Sequence, residues 1–269
     1  MRGLRRAALI VLSALLAVLV AATAAAATRV TLSARFDPDI AGQSTTILYK
    51  FAISKPLPVE SVDLHLPAGM ELATSSLGLS ECNPTTLEEY GPEGCPPDSI
   101  VGHGTAFAEV PLAFAPHMVQ EPASVTAVFG PAEKEDPTIL FFVEGRTPIY
   151  STQVLSSRLT LNSGPFSASL TTSVPLLDVW TEGPAIALTR FQASIGPQGI
   201  TYHRREHGHL VDFHPRGLSV PSRCPPKGFP FRVEFHFYNN TNATANSYAP
   251  CPKHHTPPDS SQQPSYAGR

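Results

Sequence analysis

The chain has 269 residues, with 19 Lys and Arg against 22 Asp and Glu, a formal net charge of −3 and only 15% charged residues. No basic field exists to collect phosphates, which disfavours nucleic acid as a partner. The 28 prolines and 18 glycines, beside three methionines and one tryptophan, suit many short strands joined by punctuated loops.

The N-terminus reads as an export signal. Arg2, Arg5 and Arg6 precede an apolar run from Ala7 to about Val20, and Ala21 to Ala27 supplies small residues of the A-x-A type. Residues 1–27 are therefore expected to be a signal peptide, cut after Ala27. The rival is an uncleaved anchor, because the apolar run is long enough to span a membrane. Small residues at its end, and a polar-mixed sequence from Thr28 onward, favour cleavage. The mature protein is expected to be secreted or envelope-associated, with no membrane contact after cleavage. Its partner is not identified; a cell-envelope polymer or protein is a candidate.

Four cysteines, Cys82, Cys95, Cys224 and Cys251, form an even set in an exported chain, so oxidation is the default. Three pairings are possible. Nearest-neighbour pairing, Cys82–Cys95 and Cys224–Cys251, is preferred because each closes a short loop containing turn residues. A zinc site is disfavoured, since the spacings lack the close cysteine pairs that such sites use.

In chain order, Val30, Leu32, Ala34 and Phe36 share one face of a strand over Thr28 to Phe36. Ile47, Tyr49, Phe51 and Ile53 alternate next, then Val62, Leu64 and Leu66. Between Cys82 and Cys95 a short helix is predicted. Asn83 fits its N-cap, Pro84 its first position, and Gly91 stops it. Ser99 to Val110 resumes β character, with Gly102 and Gly104 marking a bulge or a close backbone approach. Pro111 to Pro122 reads as a connection and as the place to divide the chain.

Strand-like runs follow at Ser124 to Phe129, Ile139 to Glu144, Tyr150 to Leu161 and Phe166 to Val174. Between Ile186 and Ile195 the apolar phase slips once, which predicts a β-bulge near Thr189-Arg190. Thr201 to His214 reads as a hairpin turning at Glu206-His207-Gly208-His209. Arg232 to Tyr238 and Ala243 to Tyr248 are the last strands. Residues 252–269 are Pro/Ser/Gln/His-rich and are expected to be a disordered tail.

These elements predict an all-β, antiparallel, immunoglobulin-like β-sandwich with a short disulfide-bounded helix. It would be one elaborated sandwich or two small ones, divided into residues 28–116 and 117–251.

Two stretches carry a resemblance. The first is Leu77-Gly78-Leu79-Ser80-Glu81-Cys82 with Pro84, Leu87, Gly94-Cys95-Pro96 and Ser99-Ile100-Val101-Gly102. The second is His214-Pro215-Arg216-Gly217-Leu218-Ser219-Val220-Pro221 with Cys224-Pro225, Gly228-Phe229-Pro230-Phe231 and Pro250-Cys251-Pro252. Together, from about Leu66 to Cys251, they resemble an uncharacterised family of exported proteins of high-GC actinobacteria. The resemblance implies export and a β-rich fold, and no catalytic residue comes with it.

For chemistry, His203-Arg204-Arg205-Glu206-His207 matches the H-x-x-E-H order of some zinc peptidases. That chemistry needs both histidines one helical turn apart. On a strand, residues four apart lie about 13 Å apart, too far to share a metal. A turn could gather His203, His207 and His209, which remain the remote metal candidates. Trp180, in a loop bounded by Pro175 and Pro184, is the candidate ligand contact, since exposed aromatics on a sandwich can stack on a sugar ring. No G-x-S-x-G elbow or phosphate-binding glycine loop occurs. The expectation is a non-catalytic structural or adhesive extracellular protein with no cofactor. A glycan- or small-ligand-binding module is the alternative, and a zinc-dependent hydrolase the remote one.

Overall fold

Period-two patterning becomes one continuous antiparallel sheet. The computed structural model describes residues 27–72, 79–113, 115–179, 183–196, 201–213 and 217–252. Strands β1 (Val30–Asp37), β2 (Ser44–Ile53) and β3 (Val59–Pro67) come first, then the short β4 (Glu71–Leu72) and helix α1 (Pro84–Tyr90). Next are β5 (Ile100–Val110), β6 (Val119–Glu133), β7 (Asp136–Gly145), β8 (Ser151–Leu161), β9 (Phe166–Ser173) and β10 (Ala187–Ile195). The chain closes with β11 (Tyr202–Glu206), β12 (His209–Phe213), β13 (Leu218–Ser219), β14 (Phe229–Phe237) and β15 (Asn242–Ala249).

The long strands run in the order β15-β14-β3-β9-β8-β7-β6-β5-β10-β2, with β1 on the other edge of β2. Every ladder is antiparallel. The sheet curls until β1 lies beside β15, giving a nearly barrel-shaped ring. With the two-residue β4 and β13 set aside from the 13-stranded sheet, 11 strands remain. An odd count of antiparallel neighbours leaves β1 and β15 running parallel. No ladder joins them among the described residues. Instead the Phe36 ring meets Phe229 edge-on at 5.4 Å and Phe231 at 5.6 Å, so side chains close the seam.

The separate facing sheets of an immunoglobulin-like sandwich are not established by this order. The expected dividing point near Pro116 falls between β5 and β6, which are paired neighbours. Strands from both sides of it interleave: β2 pairs with β10, and β3 with β9 and β14.

Inside the ring sit the alternating apolar residues of each strand. Val30, Ala34 and Phe36 of β1 are buried, as are Phe229, Phe231, Val233, Phe235 and Phe237 of β14. Polar residues point outward at the intervening positions, such as Lys50 on β2 and Arg232 on β14. The run Ile139 to Val143 of β7 is apolar at every position because both of its faces are covered. Ile139 and Phe141 face the interior. Leu140 and Phe142 lie under the outer layer formed by Cys82, Leu87 and Cys95.

That outer layer is the predicted cystine-bounded helix. Asn83 Oδ1 accepts a hydrogen bond from the Thr85 amide at 2.9 Å, Pro84 opens the first turn, and Gly91, at φ 67°, ends it. Leu87 is its buried residue. The disulfides are Cys82–Cys95 and Cys224–Cys251, and no free cysteine remains. They fit an oxidising compartment outside the cytoplasm. Residues 1–26, within the expected signal peptide, and 253–269 of the expected tail lie outside the described residues.

Glycine placement follows from close strand approach. A Cβ on Gly102 or Gly104 would strike the carbonyl oxygens of Ser194 and Gln192 on β10. The ladder of β10 with β5 shifts register between Leu188 and Arg190, where the sequence phase slips.

The stretch from Pro111 to Pro122 departs from its reading as a connection. Strand β6 already begins at Val119 and passes through Pro122, which pairs with Phe107. Beyond Ala123 the β7 ladder has ended at Gly145, so this part of β6 has a neighbour on one side only. A proline lacking its N–H is tolerated there.

Candidate functional site: a lumenal cavity with a buried carboxyl

The ring is wider than its side chains fill. A cavity of about 150 Å³ lies at the end of the barrel where β3 and β10 begin and β5, β7 and β9 end. Its room comes partly from small inward residues, Ala106, Ala108, Ala123 and Gly145. Its wall is aromatic where Phe51 stacks on Phe191 at 5.2 Å and Phe141 meets Phe191 edge-on at 5.9 Å. It reaches the surface at Leu176, which lines it and is 47% exposed. A second cavity of about 60 Å³ lies toward the opposite end of the barrel, by Val101, Ile139 and Leu159. Tyr49, Leu64 and Leu170 line both and form a waist between them.

Among the described residues, one carboxyl lines the upper cavity, Glu121 on β6. Its ladder partner is Ala108 on β5, and two residues later Ala123 pairs with Gly145 on β7. Glu121 is only 4% exposed, and its Oε1 has no hydrogen-bond partner among the described residues. Burial raises its pKa above the ordinary carboxylate value of 4.5. The carboxyl fits because β7 carries glycine at 145; a Cβ there would collide with Glu121 Oε1. Ser151, Gln153 and Thr172 add polar groups to the same cavity. Among the described residues, Tyr49 is the only other titratable side chain lining it, and burial raises that phenol's pKa as well.

An unpaired buried carboxyl costs a few kcal/mol in an apolar setting, so the position calls for an explanation. The sequence reading missed Glu121 because it lay in the supposed connection. A signal was present: Glu121 stands in phase with Ala123, Val125 and Ala127, putting a charge on the face that strand periodicity assigns to the core.

The other candidates sit elsewhere. His203, His207 and His209 lie on the β11–β12 hairpin, whose turn carries His207 at φ 49° and Gly208 at φ 85°. All three are exposed, and His203 Nδ1 pairs with Asp212 Oδ1 at 2.7 Å. The structure does not gather these histidines. Among the described residues, no group of three or more His, Cys, Asp or Glu side chains could hold a metal. Trp180 lies outside the described residues.

One constellation on the outer wall has the chemistry of a hydrolase without its geometry. Ser169 Oγ is 2.7 Å from His65 Nδ1, and His65 Nε2 is 3.6 Å from Glu234 Oε1. Ser169 is only 6% exposed, and Asn162 Nδ2 also donates to its hydroxyl. The residue sits mid-ladder in β9 between β3 and β8, where strand pairing engages the nearby amides and leaves no oxyanion hole. These side chains tie strands together.

No helix among the described residues is long and apolar enough to cross a membrane. No protein-family model matches the chain, and no curated protein or solved structure matches it either.

Proposed function

We propose that the chain is a secreted, non-catalytic binding protein that holds a small, mostly apolar molecule in the lumen of its barrel, with the polar end of that molecule at Glu121. One observation carries this reading: a 4%-exposed carboxyl, its Oε1 without a hydrogen-bond partner among the described residues, in a cavity of about 150 Å³ walled by Phe51, Phe141 and Phe191. A purely structural or adhesive barrel gains stability by filling its core, since each empty volume forfeits packing. Cavities of this size lined by apolar side chains take up aromatic and aliphatic guests. A ligand with a hydrogen-bond donor would satisfy the carboxyl that the fold leaves unpaired. The apolar wall disfavours a glycan, whose many hydroxyls would be stranded there. Export is supported by the two disulfides and by the leader-like N-terminus.

The test is fluorescence titration with N-phenyl-1-naphthylamine, a neutral apolar amine that brightens out of water. Saturable one-to-one binding is expected. Glu121→Leu, which removes the acceptor, is expected to weaken it by about tenfold, the value of one hydrogen bond to a charged or polar group. No saturable binding to the folded protein would refute the reading.

A further inference from the structure

The lumen is not one chamber, and its division bears on the shape of the guest. The upper cavity holds Glu121 and the other polar groups; the lower one is lined by Leu66, Val101, Phe129, Ile139 and Leu159 and, among the described residues, by no charged side chain. Both lie on the axis of the same ring, in line through the waist of Tyr49, Leu64 and Leu170. Along β6, Glu121 faces the first chamber and Phe129 the second. Eight residues of strand separate them, about 26 Å of contour. A compact ring-shaped guest would fill the upper chamber and leave the lower one empty. An extended one, thin enough for the waist, would fill both.

We infer that the ligand is a linear long-chain amphiphile with a hydrogen-bond-donating head, an alcohol or amine. Its head lies at Glu121 and its alkyl tail passes between Tyr49, Leu64 and Leu170 into the lower chamber. This rests on the lumenal-binding reading and adds to it the extended shape and the two-chamber occupancy. The lower chamber then acts as the ruler for chain length. Glu121 sets the polarity of binding, head toward the Leu176 opening and tail toward the opposite end of the barrel, because among the described residues it is the only carboxyl lining either chamber, and it stands in the upper one. A carboxylate head is selected against, since it would put a second negative charge beside Glu121 without offering a donor.

The experiment is displacement of N-phenyl-1-naphthylamine from the oxidised chain by hexan-1-ol, decan-1-ol, dodecan-1-ol and tetradecan-1-ol. Dodecylamine and dodecanoate are compared with dodecan-1-ol. Affinity is expected to rise about fourfold per added methylene up to decan-1-ol and to continue rising beyond it as the tail enters the lower chamber. Leu159→Phe, which fills the lower chamber, is expected to weaken dodecan-1-ol and tetradecan-1-ol by at least about tenfold and to leave hexan-1-ol unchanged. Dodecanoate is expected to bind more weakly than the alcohol above neutral pH.

A plateau at hexan-1-ol, with longer chains no tighter, overturns the inference even if the fluorophore binds. So does a dodecanoate that binds as well as the alcohol. Failure of the fluorophore and of every alcohol overturns the lumenal reading itself. Should Leu159→Phe fail to fold, the chain-length series on the unchanged protein decides alone.

Discussion

Gly145 and Glu121 occupy one space: a methyl group on the glycine would stand where the Glu121 carboxyl oxygen now lies. The two belong to neighbouring strands, and the absence of a side chain on β7 lets a carboxyl lie against the barrel wall. Gly145→Ala is therefore expected to push the carboxyl out of place and destabilise the fold by about 1–3 kcal/mol. Fluorophore affinity should fall with it. In the Glu121→Ala background the same substitution should cost much less, and a double-mutant cycle from urea unfolding measures that coupling. Simple additivity would break the link between the two residues.

The carboxyl also predicts how stability depends on pH. Burial raises the folded-state pKa of Glu121 above 4.5. The native protein therefore holds this proton more tightly than the unfolded chain does. The contribution is favourable below the unfolded value and is lost as pH rises through the folded one. Glu121→Gln should leave Tm little changed near pH 4 and raise it at neutral pH, flattening that part of the profile. Thermal melts across this range check it; parallel profiles for the two proteins would contradict it.

The two disulfides should differ in what they hold. Cys82–Cys95 spans a sequence separation of 13 and anchors the outer layer over Leu140 and Phe142. Its removal is expected to cost about 3 kcal/mol and to expose an apolar patch that binds anilinonaphthalene sulfonate. Cys224–Cys251 spans 27 and links the approach to β14 with the exit of β15. Its loss should cost about 3.5 kcal/mol with less dye binding, since both of its cysteines lie outside the buried core. Urea titration of the paired Cys→Ala variants, with dye binding in parallel, reads both effects.

The seam should be a soft point in the ring. Phe36 bridges β1 to Phe229 and Phe231 where no ladder exists. Phe36→Ala is expected to cost about 3–5 kcal/mol. Amide exchange should quicken in β1 and β15 before it does in β7 and in β6 from Ala123 onward, which are paired on both sides. Uniform exchange across all four strands would show that the seam is as firm as the ladders.

Local features were legible in the sequence, and collective ones were not. The Asn83 cap, the Gly91 stop, the hairpin turning at His207-Gly208, the slip near Thr189-Arg190 and both cystines follow from residues close together in the chain. Ring closure does not, because it depends on how far twist and curl carry strands that are far apart in sequence. The cavity depends on the summed volumes of inward side chains from many strands. Glu121 was hidden for a narrower reason. Pro111, Pro116 and Pro122 made the segment look like a loop, while the loss of one neighbouring strand makes Pro122 acceptable within β6.

Strand parity also sets how the molecule presents itself when tethered. Because β1 and β15 point the same way, the chain enters the ring at the Glu121 mouth and leaves it at the opposite rim. Immobilisation through residues before β1 would turn that mouth toward the support, whereas attachment through residues after β15 would turn it to the open solution.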